Sequence, residues 1–213
     1  LSMLILSCAG LNHDEYSVSG GFLPSSCEQV IVGIADNWDS SYANLVLLQK
    51  GSDGKWEQTG GVWPARLGST GLVWGLGVSP VPKGGTLKKE GDKRTPAGIF
   101  ALDHSVFAYD ENAPVGKGYD VRKITPYDLW VEDANSPLYN HHLVLDHIPM
   151  TGWEKKQQMK LNDPAHKIKL FVHHNSPVDE GRPIPNAGSS IFFHIWRDNG
   201  RRATAGCTSM SEK

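Results

Sequence analysis

From Gln29 to Met210 the chain is a succession of short β-branched or aliphatic runs, broken by clusters of Gly, Pro, Asn and Asp, with weak helical periodicity. That punctuation favours strands joined by turns. "QVIVGIA" (Gln29 to Ala35) and "ANLVLLQK" (Ala43 to Lys50) flank "DNWDSSY" as a predicted hairpin, and "GSDGKWEQ" gives a further turn and a strand around Trp56. Further strands are predicted at Gly98 to Leu102, Leu129 to Glu132, His142 to Ile148, Ile168 to His173 and Ser189 to Trp196. The best helical stretch is Gly152 to Leu161, built from moderate helix formers with little apolar face. With 23 glycines and 13 prolines in 213 residues, the expectation is one mainly β domain with one or two short helices. A net charge of −2 gives no electrostatic drive toward nucleic acid or an anionic membrane.

The first residues read differently. "LSMLILSCAG" is a short apolar run ending at Ser7-Cys8-Ala9, and Leu11 to Glu28 is a polar, Gly/Ser-containing stretch. The run looks like the tail of a bacterial lipoprotein signal preceding a lipidated Cys8; the alternative is a short buried strand. The expected organisation is therefore residues 1–28 as signal-peptide remnant and tether, and 29–213 as the domain. Export to the bacterial envelope would follow, with the membrane touched only through the lipid at Cys8. Cys8 and Cys27 are also close enough in sequence to pair in an oxidising compartment. Cys207 is left as the free thiol.

Near the end of the chain, "SSIFFHIW" alternates as a strand. Ile191, Phe193 and Ile195 fall on one face, and Phe192, His194 and Trp196 on the other. The turn-rich "RDNGRRATAG" that follows can return Cys207 to the face that carries His194, 13 positions upstream. A thiol is a poor nucleophile until deprotonated, and a neighbouring imidazole lowers its pKa. The amides of Gly206 and Cys207 form a candidate oxyanion hole.

"GSSIFFHIWRDNGRRATAGCTSM" resembles the catalytic segment of the L,D-transpeptidase family of the YkuD type, in which a strand ends in His and a loop leads to Ser/Thr-x-Gly-Cys. "EGDKRTPAGIF" is similar to that family's Thr-Pro-x-Gly scaffold strand, and "WVEDANSPLYN" to a segment of one of its branches. The resemblance implies a β-sandwich-like catalytic domain and a cysteine enzyme acting on peptidoglycan stem tetrapeptides. It implies Cys207 as nucleophile, His194 as general base oriented by a backbone carbonyl, and Thr204 as the Ser/Thr of the motif. The thiolate would expel the terminal D-alanine, and an amine from a second stem would capture the acyl-enzyme. Capture by water would make a carboxypeptidase or hydrolase, and loss of chemistry would leave a peptidoglycan-binding lipoprotein.

The chain departs from the family in places. Thr208 and Ser209 follow the Cys where many members carry Arg two residues on, and Ile195 follows the His where Gly is common. Arg197 and Arg202 are candidates to contact a substrate carboxylate instead. The chain stops six residues after Cys207, where relatives add a helical tail, so a closing element is expected to be missing. Trp196, Tyr139 and Asn140 are further candidate substrate contacts. Nine histidines show no metal-binding spacing, and no metal or cofactor is expected. Thr95-Pro96 and Gly98 read as scaffold.

Overall fold

The computed structural model describes residues 2–8 (by their backbone), 23–116, 118–160, 162–176 and 182–212. The chain is mainly β, as its sequence predicts. Its strands are β1 (Ser2–Cys8), β2 (Gln29–Ala35), β3 (Tyr42–Lys50), β4 (Trp56–Arg66), β5 (Leu72–Trp74) and β6 (Thr95–Ala108), followed by β7 (Asp120–Lys123), β8 (Asp128–Trp130), β9 (His142–Val144), β10 (Ile168–Val172), β11 (Phe192–Ile195) and β12 (Thr208–Met210). One mixed sheet runs β1-β2-β3-β4-β12-β11-β10-β6-β5, and β1 also pairs with β6, so eight of its strands close a circuit. β8 and β9 form a separate antiparallel pair.

The period-2 pattern explains how the layers form. Along β2 and β3, Ala35 and Leu45 face a central core with Phe100, Leu102, Ile191 and Phe193. Val30, Val32, Val46 and Leu48 face a second cluster that also buries Cys27. Phe192, on the other face of β11 from Phe193, joins Phe107, Trp130 and Phe171 in a third cluster, against which Cys207 packs. The alternation read in "SSIFFHIW" thus separates these two cores.

The helix α1 (Gly152–Gln157) is shorter than its sequence window. It starts at a capping box in which Thr151 and Glu154 satisfy each other's backbone donors. With little apolar face there is no packing to carry it further, and Gln158 is already extended. β5, β7 and β12 are three- or four-residue strands with no run long enough to show a pattern, and β6 is far longer than predicted.

The N-terminal stretch, expected outside the domain, runs as β1. Ser2–Cys8 runs parallel to β2, from Ser2↔Gln29 to Cys8↔Ala35, and antiparallel to β6, from Met3↔Ala101 to Leu6↔Gly98. An uninterrupted apolar run is a good strand, and here it satisfies two sheet edges at once. The tether lies largely outside the described residues. Cys27 is a free thiol, its Sγ 3.4 Å from the Gln29 carbonyl.

Candidate active site

β11 and β12 lie side by side and parallel, with Phe193 opposite Thr208 and His194 opposite Ser209. Cys207 immediately precedes β12, so it stands level with Phe192 and diagonal to His194. Diagonal neighbours on adjacent strands are about 7–8 Å apart. Both residues open onto one cleft of about 420 Å³. In the described structure they do not hydrogen-bond to each other. The Cys207 Sγ donates to the Ser190 carbonyl at 3.4 Å and accepts from the Phe192 N–H at 3.4 Å. Burial pushes the thiol up, and the Glu132 charge adds to that; the Phe192 N–H, Lys169 and Lys88 work the other way. At rest the sulfur is therefore held by the backbone of Phe192 and Ser190 and not by His194.

His194 is buried and pushed down by that burial, so it is neutral near pH 7. Its Nδ1 lies 2.7 Å from the Ile195 carbonyl, which can only accept, so Nδ1 carries the proton and Nε2 is the free base. The orienting carbonyl thus comes from the next residue of the same strand. His166, from the 3-10 turn Pro164–His166, stacks on His194 with ring centroids 4.5 Å apart. Burial, followed by the His194 charge, takes His166 down to about 3.

The loop carrying Cys207 is locked from inside. Thr204 Oγ1 donates to the Cys207 carbonyl at 2.6 Å and accepts from the Gly206 N–H at 3.1 Å. Thr95 Oγ1, from the Thr-Pro stretch, donates to the same carbonyl at 3.2 Å and accepts from the Gly68 N–H at 2.8 Å. The scaffold segment therefore braces the Cys207 loop directly. Gly206 has φ +145°, and a Cβ there would meet the Arg94 carbonyl at 3.1 Å. These bonds correct one expectation: the Gly206 N–H is already spent on Thr204. The Cys207 N–H has no partner among the described residues and is the one oxyanion donor left of the predicted pair.

The other predicted contacts divide. Arg197 lines the cleft, with one guanidinium nitrogen ion-paired to Asp163. Arg202 is exposed outside it, 3.7 Å from Asp198. Trp196 packs its ring against Gly200 and does not line the cleft, because the strand ends at Ile195 before the alternation reaches it. Tyr139 is buried behind the wall, its hydroxyl donating to the Glu90 carboxylate, which also accepts from Ser189 at 2.8 Å. Asn140 is buried and fully engaged. Its Oδ1 accepts from Trp130 Nε1 and the Ser190 N–H, each at 3.0 Å, and its Nδ2 donates to the His174 and Asn175 carbonyls, also at 3.0 Å. Tyr139 and Asn140 therefore sit behind the cleft wall and are not among its lining residues.

Sequence reasoning misses Lys169, Glu132 and His166. Lys169 is buried opposite His194 on β10, its Nζ 5.0 Å from the centre of the Phe192 ring. Burial takes it down to about 8, while the Cys207 and Glu132 charges push the other way. Its signal is a lone charge inside "IKLFV", an otherwise apolar strand. Glu132 lines the cleft and is pushed up by the protein around it and by Glu90.

A thiol and a tautomer-fixed imidazole on one cleft, at the ends of parallel neighbouring strands, define the class as a cysteine-centred site on a closed β scaffold. The model of the YkuD family, the L,D-transpeptidase catalytic domain, matches residues 44–213. The chain belongs to that family, whose members are L,D-transpeptidases of the peptidoglycan. No curated protein and no solved structure matches the chain.

Proposed function

We propose that this chain is a cysteine-dependent L,D-transpeptidase acting on stem tetrapeptides. The observation that carries the reading is one cleft lined by both Cys207 and a His194 whose free Nε2 is fixed by the Ile195 carbonyl. The thiol turns from Ser190 toward His194, which takes its proton. Sulfur then attacks the carbonyl of the diamino acid, and the Cys207 N–H meets the developing oxyanion. The C–N bond to the terminal D-alanine breaks as His194 returns the proton to the leaving amine, leaving a thioester. An amine from a second stem attacks that thioester, gives up a proton to His194, and releases the cross-linked product and the thiol. Cleft charges of both signs, Arg197 and Lys93 against Glu132 and Glu90, suit a substrate carrying carboxylates and an amine. The protein works in the bacterial envelope, and a lipid at Cys8 would require release of β1 from the sheet.

Intact mass after incubation with a disaccharide-tetrapeptide tests this. The expected result is an adduct equal to the substrate less D-alanine, absent in Cys207→Ala and formed on the order of 10²-fold more slowly in His194→Asn. Cross-linked dimers among the products mean transfer, and trimmed monomers mean hydrolysis. No adduct on the wild type would leave a binding lipoprotein and end the catalytic reading.

A further inference from the structure

A second and larger concavity, about 590 Å³, lies on the far side of the segment that walls the catalytic cleft. Its floor is a corner of two indoles, Trp38 and Trp74, with centroids 5.1 Å apart and planes inclined at 59°. Trp38 is 38% exposed and Leu87 on the rim 41% exposed. The backbone under the exposed indole is anchored. Arg94 donates through Nη1 to the Trp38 carbonyl at 3.2 Å and the Leu72 carbonyl at 2.8 Å, and through Nη2 to Asp39 at 3.0 Å. Gly85 brings the rim loop against Trp74, where a Cβ would meet the ring at 2.7 Å. The groove is thus a braced aromatic corner, and the Lys89 side chain on its rim has no ion pair among the described residues.

One stretch of chain separates groove from cleft. Lys88 and Glu90 face the cleft; Lys89 and Arg94 face the groove. The Arg94 carbonyl also sits against Gly206, beside the nucleophile. In a tetrapeptide that loses its fourth residue, the three remaining residues and the linking acyl group lead from the acylated carbonyl to the sugar. Four extended units span at most about 13–14 Å.

We infer that the Trp38–Trp74 groove is a glycan subsite that holds the β-1,4-linked N-acetylhexosamine chain from which the stem peptide hangs. Sugar rings lay their C–H faces on indoles, and acetamido and hydroxyl groups find hydrogen bonds at Lys89 and Thr86. The volume falls within the roughly 300–1,000 Å³ of sites that enclose ligands of this size. The choice of glycan rests on the proposed reaction, whereas the groove's capacity to bind sugar stands apart from it.

Calorimetric titration of the full chain with chitotetraose, and with maltotetraose as control, tests the inference without any chemistry at Cys207. Saturable binding of chitotetraose and none of maltotetraose is expected. Trp38→Ala should weaken it about tenfold or more, which corresponds to about 1.4 kcal/mol for the aromatic platform, and Trp38→Phe should retain most of it. If Trp38→Ala does not fold, Leu87→Ala on the exposed rim gives the same comparison. No saturation by chitotetraose, equal binding of both sugars, or unchanged affinity in a folded variant would overturn the subsite. Sugar binding without acylation of Cys207 by the disaccharide-tetrapeptide would sink the proposed reaction and leave the groove standing; acylation without sugar binding would do the reverse.

Discussion

Replacing Asn140 by Ala should be among the most destabilising single changes in the cleft wall. Asn140 adopts φ +56°, in the left-handed region, and is buried with four hydrogen bonds at 3.0 Å. Alanine leaves the Trp130 indole N–H and the Ser190 N–H without their acceptor, at about 1–3 kcal/mol each. The methyl group in a left-handed conformation adds about 1 kcal/mol. The total is about 5 kcal/mol, or roughly 10–20 °C in Tm for a domain of this size. Asn140→Gly loses the same bonds but not the conformational penalty, so it should recover about 1 kcal/mol over Ala. Asn140→Asp keeps both acceptors but turns a carboxylate oxygen on two carbonyls, and should be destabilising as well. Urea unfolding of the set, followed by tryptophan fluorescence, measures all three. An Ala variant within about 1 kcal/mol of the wild type, or a Gly variant no better than Ala, would refute the view that Asn140 anchors this wall through its amide.

Three further outcomes are expected. Lys169→Met removes the buried cation that favours the Cys207 thiolate, so the thiol should titrate higher, while Lys169→Arg stays close to wild type. Alkylation rate against pH decides, and one curve shared by the wild type and both variants would show that the cation does not act on the sulfur. His166 and His174, taken down to about 3 and about 4 mainly by burial, stay neutral in the fold while the unfolded chain takes up protons below about pH 6.5. Stability should therefore fall by up to about 1.4 kcal/mol per pH unit for each as pH drops toward 4, and urea midpoints that stay flat from about pH 7 to 5 would contradict this. Deleting residues 1–8 removes β1 and opens the β2 and β6 edges, so the shortened protein should melt lower or self-associate; an unchanged melt and a monomeric elution profile would show that β1 is dispensable.

How much of this is legible in the sequence depends on how far a signal is local. The runs at Gln29 and Ile168 read correctly because apolar periodicity and turn residues bound them at both ends. The faces of Phe192 and Phe193 follow from alternation alone. What stays hidden is set by distant partners. Thr95 and Thr204 lie far apart in sequence yet meet at one carbonyl, a convergence that only the sheet order brings about. Asn140 looks like a surface turn residue by type, yet its left-handed backbone is buried because four groups from three segments need its amide. Trp196 fails for the opposite reason: the alternation that predicts its face stops one residue short.

Under the proposed reaction, the resting geometry also guards the thiol. An exposed thiolate oxidises readily, whereas a protonated thiol held against the protein does not. Here the thiol is held toward the Ser190 carbonyl, and Ser190 itself is strained at φ +58° and tied by its N–H to Asn140. His194 waits one diagonal step away, already in the tautomer that accepts a proton. In the proposed reaction the loop can stay in place as the sulfur turns, since both threonines hold the Cys207 carbonyl. A substrate that displaces the Ser190 contact would bring thiol and base together only when there is a carbonyl to attack.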